Sequence, residues 1–178
     1  MAKENERRFL LWENGIDYTT PEFYNFYSSV SDLKRDVLKK GVPIIQGYLP
    51  IEKGIELLAS LNMTLEFNPI EARLRDRNGE FLFNMKSDGK DSRDELPDIA
   101  LPSKVFLEYW PLTAGRRVAK KRLKLPFSGY DYQIDVHLDR YQIRAEVETE
   151  TLEELQRVIP IGLEVTENSA YNARNLAK

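Results

Sequence analysis

Charged and apolar residues alternate with a period of two in several short segments of the chain. These segments lie at residues 4–11, 73–75, 81–86, 120–125, 134–136 and 144–148. A period of two places alternate side chains on opposite faces of a β-strand. The pattern therefore predicts six strands, each with one charged face and one apolar face.

Helix signals lie between and after these strands. Each signal is a capping residue, a proline at a first helical position or a helical spacing of apolar residues. The signals predict helices behind Thr20-Pro21, from Ser31 to Lys40, after Pro50, from Lys104 to Trp110, behind the capping box of Thr151 and Glu154, and behind Thr166.

The charged strand faces carry residues of both signs, often in pairs two residues apart. The cations are Arg8, Arg73, Arg75, Lys86, Lys120 and Arg122, and the acids are Glu4, Glu6, Asp135, Glu146 and Glu148. These faces suit two arrangements. In the first, the charges face solvent and the apolar faces form a sandwich core. In the second, the charges line the inside of a barrel and helices cover its apolar outer wall.

A charged interior is costly unless its charges are paired or filled by a ligand. Carboxylates are hard oxygen ligands for Mg²⁺ or Mn²⁺, and Arg and Lys bind phosphate oxygens. The six cations and five acids sum to +1. A triphosphate adds about −5 and two divalent ions about +4, which brings the total near zero. The charge set therefore predicts a metal-dependent triphosphate site.

Composition narrows the class of protein. The 178 residues suit a single domain, residues 1–178, and 42% are hydrophobic. A net charge of −3 argues against a nucleic-acid partner, and the lack of cysteine excludes disulfides and cysteine-based zinc sites. No apolar run approaches the ~20 residues of a membrane-spanning helix. We expect a cytoplasmic protein with no membrane contact.

The charged segments also resemble the CYTH, or triphosphate tunnel metalloenzyme, family. The similar segments, in family order, are Glu4-Asn5-Glu6-Arg7-Arg8-Phe9-Leu10, Ile45-Gln46-Gly47-Tyr48-Leu49, Ala72-Arg73-Leu74-Arg75, Met85-Lys86-Ser87-Asp88-Gly89, Gly115-Arg116-Arg117-Val118 with Lys120 and Arg122, Ile134-Asp135-Val136, Ala145-Glu146-Val147-Glu148, and Glu164-Val165-Thr166 with Tyr171 and Asn172. Each segment is short, but their order spans nearly the whole chain.

The resemblance implies an α+β fold, a closed eight-stranded antiparallel β-barrel that forms a tunnel, with helices packed outside. It implies metal-dependent hydrolysis of a small-molecule triphosphate, either inorganic triphosphate or a nucleoside or thiamine triphosphate. Class IV adenylate cyclase is an alternative, and a sensor that binds polyphosphate or a nucleotide without turnover is another. The expected cofactor is Mg²⁺ or Mn²⁺, and the expected assembly is a monomer or homodimer.

The resemblance also implies roles for individual residues. The metal ligands would be Glu4, Glu6, Asp135, Glu146 and Glu148. The substrate-binding residues would be Arg73, Arg75, Lys86, Arg93, Lys120 and Arg122. The catalytic residues would be Glu6, Arg8 and Lys86, and Glu95 is a further carry-over from the family pattern.

The chain departs from the family pattern at three places. Arg8 replaces the signature lysine, and a guanidinium cannot be deprotonated. Pro97 replaces a carboxylate and is expected to end its strand early. The stretch from Pro50 to Pro69 is expected to carry an extra helix over one mouth of the tunnel. The single histidine, His137, is expected to be a partly exposed structural residue.

Overall fold

The computed structural model describes the backbone of residues 2–88 and 92–177, and the side chains of residues 5–88 and 94–177. Within these ranges the strands form one antiparallel sheet. They are β1 (Ala2–Glu13), β2 (Ile16–Asp17), β3 (Val42–Tyr48), β4 (Pro69–Arg77), β5 (Glu80–Ser87), β6 (Ser92–Glu95), β7 (Ile99–Ala100), β8 (Arg117–Phe127), β9 (Tyr130–His137), β10 (Gln142–Thr149) and β11 (Leu163–Glu164). All six predicted strand segments lie within these strands.

Helices occupy most of the predicted segments. They are α1 (Val30–Lys40), α2 (Ile51–Ser60), α3 (Ser103–Tyr109), α4 (Leu152–Arg157) and α5 (Ala173–Leu176), with 3₁₀ turns at Pro21–Asn25, Trp110–Thr113 and Ser169–Tyr171. The capping box of α4 is confirmed, since Glu154 N donates to Thr151 Oγ1 at 3.1 Å. The cap expected at Thr166 is wrong, because the last helix begins after Asn172.

The expectation of a closed eight-stranded barrel is wrong. The sheet has eleven strands in the described residues, in the order β10-β9-β8-β3-β4-β5-β6-β1-β11, with β2 paired to β1 and β7 paired to β5. The sheet curls, because β1 pairs with β6 on one side and with β10 on the other. The number of paired residues differs from one pair of neighbouring strands to the next. Within the described residues a single register pair, Lys86 with Glu95, joins β5 to β6.

Proline explains part of this irregularity. Pro97 has no backbone N–H to donate, and β6 ends at Glu95, as the sequence predicts. The chain then leaves the sheet and pairs again with β5 through β7, where Ile99 lies opposite Phe83. The sheet is therefore a strongly curved surface with short accessory strands.

The apolar faces of the strands pack under the helices. One buried cluster joins Phe9 of β1 and Ile134 of β9 to Leu33 of α1. A second joins Leu74 of β4 to Leu57 of α2. Burial of apolar surface stabilises a fold by roughly 25 cal/mol per Å², so packing in these outer clusters stabilises the sheet and its helices together. The opposite, inner faces of the strands are left for the charged residues.

The helix in the stretch from Pro50 to Pro69 lies elsewhere than expected. The helix itself is confirmed as α2, but it packs on the outer face of β4. Gly54 allows this close approach, because a Cβ there would lie 2.4 Å from Cβ of Ala72. None of the residues of α2 lines the inner surface of the sheet in the described structure. No described helix is both long and apolar enough to cross a membrane.

Candidate functional site

The inner face of the curved sheet encloses a cavity of about 660 Å³. Its described lining is mostly charged, with nine cations and six carboxylates. The cations are Arg8, Lys40, Arg73, Arg75, Arg77, Lys86, Lys120, Arg122 and Lys124, and the carboxylates are Glu6, Glu71, Glu95, Asp98, Glu146 and Glu148. The excess of positive charge makes the cavity a site for an anion, and the solvated-sandwich arrangement is excluded.

A dense ion-pair network lies on β8, β9 and β10. Asp135 is fully buried and accepts hydrogen bonds from Lys120 Nζ at 2.5 Å and from Arg122 Nε at 2.6 Å. Arg122 also donates to Glu146 Oε2 at 2.5 Å. Burial raises the carboxyl pKa, but Arg122 and Lys120 outweigh it and lower the pKa of Asp135 to about 2. The same cations hold the pKa of Glu146 well below its usual range.

Asp135 therefore has a different environment from the other predicted metal ligands. Both of its oxygens accept hydrogen bonds from cations, and the residue does not line the cavity. Its position suits holding Lys120 and Arg122 in place behind the cavity wall. Metal coordination through Asp135 would require those hydrogen bonds to break.

A second group of charges lies on β4, β5 and β6. Lys86 Nζ lies 3.1 Å from Glu95 Oε1, and Asn84 donates to the same oxygen at 2.5 Å. Arg73 is buried, with Nη2 3.8 Å from Glu95 Oε1. Glu95 thus acts as the shared counter-charge for two predicted phosphate-binding residues. Arg73 Nη1 also lies 3.9 Å from Glu71 Oε1.

Arg75 is an incompletely compensated cation among the predicted phosphate-binding residues. Its nearest described acid is Asp98, at 3.3 Å from Nη1, and its Nε has no hydrogen-bond partner in the described structure. Burial and the neighbouring Arg73 lower the pKa of Arg75 to about 10. A buried arginine with a depressed pKa is stabilised by any anion that enters the cavity.

Two predicted acids of the cavity lie opposite each other on a strand pair. Glu6 of β1 lies opposite Glu148 of β10 in register. Directly opposite residues have Cβ atoms about 4.5–5.5 Å apart, close enough to share a cation. Among the described side chains, however, no cluster of three or more carboxylates or histidines forms a complete metal site. Two carboxylates suit Mg²⁺, which keeps waters and binds phosphate oxygens besides one or two protein ligands.

Arg8 is oriented toward the C-terminal segment. Its Nη1 donates to Asn172 Oδ1 and its Nη2 to the carbonyl oxygen of Thr166 at 2.6 Å. Its Nε lies 3.7 Å from Glu6 Oε1. The arginine that replaces the signature lysine therefore ties β1 to the segment that contributes Asn172 and Ala173 to the cavity wall.

Sequence reasoning missed the role of Arg144 and misjudged His137. Arg144 is fully buried, and its Nε donates to His137 Nε2 at 3.2 Å while its Nη1 donates to the carbonyl of Tyr171. His137 is buried rather than partly exposed, and burial, Arg144 and Lys120 lower its pKa to about 3. The shared parity of Arg144 with Glu146 was the signal that placed it on the inner face.

The remaining predicted residues are placed as follows. Ten of them line the one cavity, and these are Glu6, Arg8, Arg73, Arg75, Lys86, Glu95, Lys120, Arg122, Glu146 and Glu148. The side chains of Glu4 and Arg93, and residue Gly89, lie outside the described residues, although the backbones of Glu4 and Arg93 lie opposite each other in β1 and β6. Their predicted roles stay predictions.

The fold and the cavity define a class of protein in which a curved antiparallel sheet encloses a cavity with an excess of positive charge. Over 143 residues, the chain is 36% identical to an inorganic triphosphatase of Nitrosomonas europaea, which covers 76% of this chain and 84% of that protein. The chain belongs to the CYTH, or triphosphate tunnel metalloenzyme, family. No family model matches the chain.

Solved structures agree with this assignment. A crystal structure of an inorganic triphosphatase has a TM-score of 0.54 at 27% identity, covering 99% of this chain and 95% of that one. A candidate adenylate cyclase from Bacillus halodurans has a TM-score of 0.50 at 13% identity, covering 88% of this chain and 87% of that one. The second likeness concerns the fold alone.

Proposed function

We propose that the chain hydrolyses inorganic triphosphate in its charged cavity, with a divalent metal ion. The observation that carries the proposal is the convergence of five cations on one cavity. These residues, called the phosphate clamp below, are Arg73, Arg75, Lys86, Lys120 and Arg122. Preorganised cations stabilise the charge that develops on a transferred phosphoryl group. The name of the Nitrosomonas relative supports the same substrate.

The residues would divide the work by position. Arg73 and Arg75 on β4 and Arg122 on β8 would hold the phosphate oxygens, because a guanidinium donates in a planar fork. Lys86, 3.1 Å from Glu95, would bind a terminal oxygen as a compact point charge. Water adds to the terminal phosphorus and the P–O–P bond breaks, giving orthophosphate and pyrophosphate. Arg8 would serve by position and charge, because it cannot take up the water proton.

The metal would be Mg²⁺ or Mn²⁺, held between Glu6 and Glu148, with Glu146 and Glu4 as further proposed ligands. When bound, such an ion neutralises phosphate charge and polarises the P–O bonds. Glu6 and Glu148 lie directly opposite each other in register, so a cation bound to both would offset their like charges.

We expect Glu148→Gln to weaken the activation by metal. The side chain is exposed at the cavity rim, so its loss should leave the unfolding free energy nearly unchanged. Loss of one hard oxygen ligand should raise the half-saturating Mg²⁺ concentration at least roughly tenfold. The measurement is a magnesium titration of phosphate release. Glu150→Gln is the control, since this exposed acid lies two residues beyond and does not line the cavity.

We expect Lys120 to make triphosphate binding pH-dependent. Burial and the neighbouring Arg122 lower its pKa to about 8 in the empty cavity. Affinity should therefore fall as the pH rises through about 8, because binding favours the charged ammonium. Stability should change in the opposite direction. The unfolded chain holds this proton up to the ordinary lysine pKa, so the contribution of Lys120 to stability rises with pH above about 8.

Titrations of affinity and of thermal stability against pH measure both trends. Lys120→Arg is the control, because a guanidinium stays charged across this range. An affinity step that persists in the arginine variant would assign the pH dependence to another group or to the substrate.

The direct test of the proposed function is phosphate release from inorganic triphosphate, ATP and thiamine triphosphate, each with Mg²⁺ and with Mn²⁺. We expect inorganic triphosphate to be the best substrate. Tyr48 is the one aromatic residue in the described lining, and it is buried, so the cavity offers little surface for stacking a base. Tight binding without release would support the sensor instead, and cyclic AMP from ATP would support the cyclase.

A further inference from the structure

Three cations of the cavity have no part in the proposed hydrolysis. Lys40, Arg77 and Lys124 line the cavity, yet none belongs to the charge set that the sequence predicts. Arg77 follows Arg75 by two residues on β4, and Lys124 follows Arg122 by two residues on β8. Each therefore continues the inner row of its strand by one step of about 7 Å.

The strand directions bring these three cations to the same end of the cavity. Both β4 and β8 are antiparallel to β3, so they run parallel to each other, toward the end of the sheet where β3 begins. Ile44 of β3 lies opposite Arg77, and Val42 lies opposite Arg122. Lys40, the last residue of α1, lies two residues before β3.

Exposure along the two rows shows that this end is the mouth. On β8 the exposed fraction of the side chain rises from 3% at Lys120 to 15% at Arg122 and 69% at Lys124. On β4 it rises from 11% at Arg75 to 41% at Arg77. A row of cations thus leads from the buried clamp to solvent.

We propose that Lys40, Arg77 and Lys124 form an outer anion-binding strip for linear polyphosphates longer than three units. The proposal rests on the proposed hydrolysis and widens its substrate class. The terminal phosphates would occupy the inner clamp, and the rest of the chain would leave along the strip. Each hydrolysis adds one water, breaks the terminal P–O–P bond, and releases orthophosphate and a chain shorter by one unit.

The strip is available for a ligand because its own ion pairs are exposed to solvent. Lys40 pairs with Asp36 at 2.9 Å and Arg77 with Glu80 at 2.7 Å, both near the surface. Lys124 Nζ lies 3.9 Å from an Asp131 oxygen, with both side chains mostly exposed. Exposed ion pairs contribute little to stability, so exchanging these partners for phosphate oxygens costs little.

The other side of the mouth favours this path for a polyanion. An open recess there shares Glu148 and Glu95 with the cavity and carries Glu150 and Glu154. These carboxylates repel a phosphate chain, whereas the strip attracts it. A nucleoside tail is uncharged and would gain nothing from the strip, so the arrangement fits a linear polyphosphate.

The test compares the wild type with a strip variant that carries three substitutions together, Lys40→Gln, Arg77→Gln and Lys124→Gln. The ligands are tripolyphosphate, tetrapolyphosphate, a longer linear polyphosphate and ATP. Binding is measured with a chelator present to prevent turnover, and phosphate release with Mg²⁺. The matched control is a second triple variant, with Arg35→Gln, Lys53→Gln and Arg157→Gln. It removes three cations from exposed ion pairs outside the cavity.

We expect the strip variant to bind the two longer chains about tenfold more weakly, and tripolyphosphate and ATP within about twofold of wild type. The control variant should bind all four as wild type does. A wild type that binds tetrapolyphosphate no more tightly than tripolyphosphate would overturn the strip while leaving hydrolysis intact. An equal loss for all ligands would also overturn it. Selective binding of longer chains without phosphate release would support the strip and refute the proposed hydrolysis.

Discussion

Asp135→Asn is expected to destabilise the empty protein by about 3–5 kcal/mol, because it leaves two buried cations without their shared counter-charge. Asp135 is fully buried and accepts from both Lys120 and Arg122. An amide of the same shape carries no negative charge and presents hydrogens where the cations need an acceptor. Triphosphate should recover part of the lost stability, since it brings negative charge to the same two cations. Denaturant unfolding with and without triphosphate measures both effects.

The pH dependence of this effect has a defined sign. The folded-state pKa of Asp135 is lowered to about 2, so its stabilising contribution is complete above the ordinary aspartate pKa and disappears as the pH falls toward about 2. The difference between wild type and variant should therefore shrink on acidification. Glu153→Gln is the control, because its exposed pair with Arg157 should be worth less than about 1 kcal/mol. A comparably small loss for Asp135→Asn would refute the role of Asp135 as the central counter-charge.

Arg75→Gln is expected to separate stability from activity. The substitution removes one donor of the phosphate clamp and should lower kcat/KM for triphosphate by about 10²–10³-fold, as loss of a preorganised donor does elsewhere. The unfolding free energy should stay the same or increase. Burial and Arg73 already disfavour the charged form of Arg75 in the empty cavity, so its removal relieves repulsion.

The measurements are steady-state kinetics and thermal unfolding of the same samples. Arg116→Gln is the matched control, since Arg116 donates to the carbonyl of Leu112 and does not line the cavity. A large drop in melting temperature for Arg75→Gln, comparable to that of Asp135→Asn, would show that Arg75 holds the fold together and does not serve the ligand alone.

Much of the site could be predicted because strand parity survives folding. In a strand, residues two apart face the same side whatever the sheet does, so Arg73 with Arg75, and Glu146 with Glu148, had to share a surface. The family resemblance supplied the order of the segments. Arg77 and Lys124 obey the same parity but lie outside the family motifs, and the sequence alone gave no reason to separate them from ordinary surface charges.

Other features depended on contacts between distant segments. Arg8 meets Thr166 and Asn172, more than 150 residues away in sequence, and no local pattern reports such a contact. The burial of Arg144 against His137 and the C-terminal segment is of the same kind. The position of α2 on the outer face of β4 was misjudged, because an apolar stripe shows that a helix packs but not what it packs against.

The sequence by itself determined the strand segments, their charged and apolar faces, and the family. These follow from local periodicity and from short motifs, which are properties of neighbouring residues. Only the tertiary structure decided how many strands join the sheet, how unevenly they pair, which charges compensate one another and which remain for a ligand. Those outcomes depend on register and curvature, because a shift of one residue between two strands turns every inward charge outward.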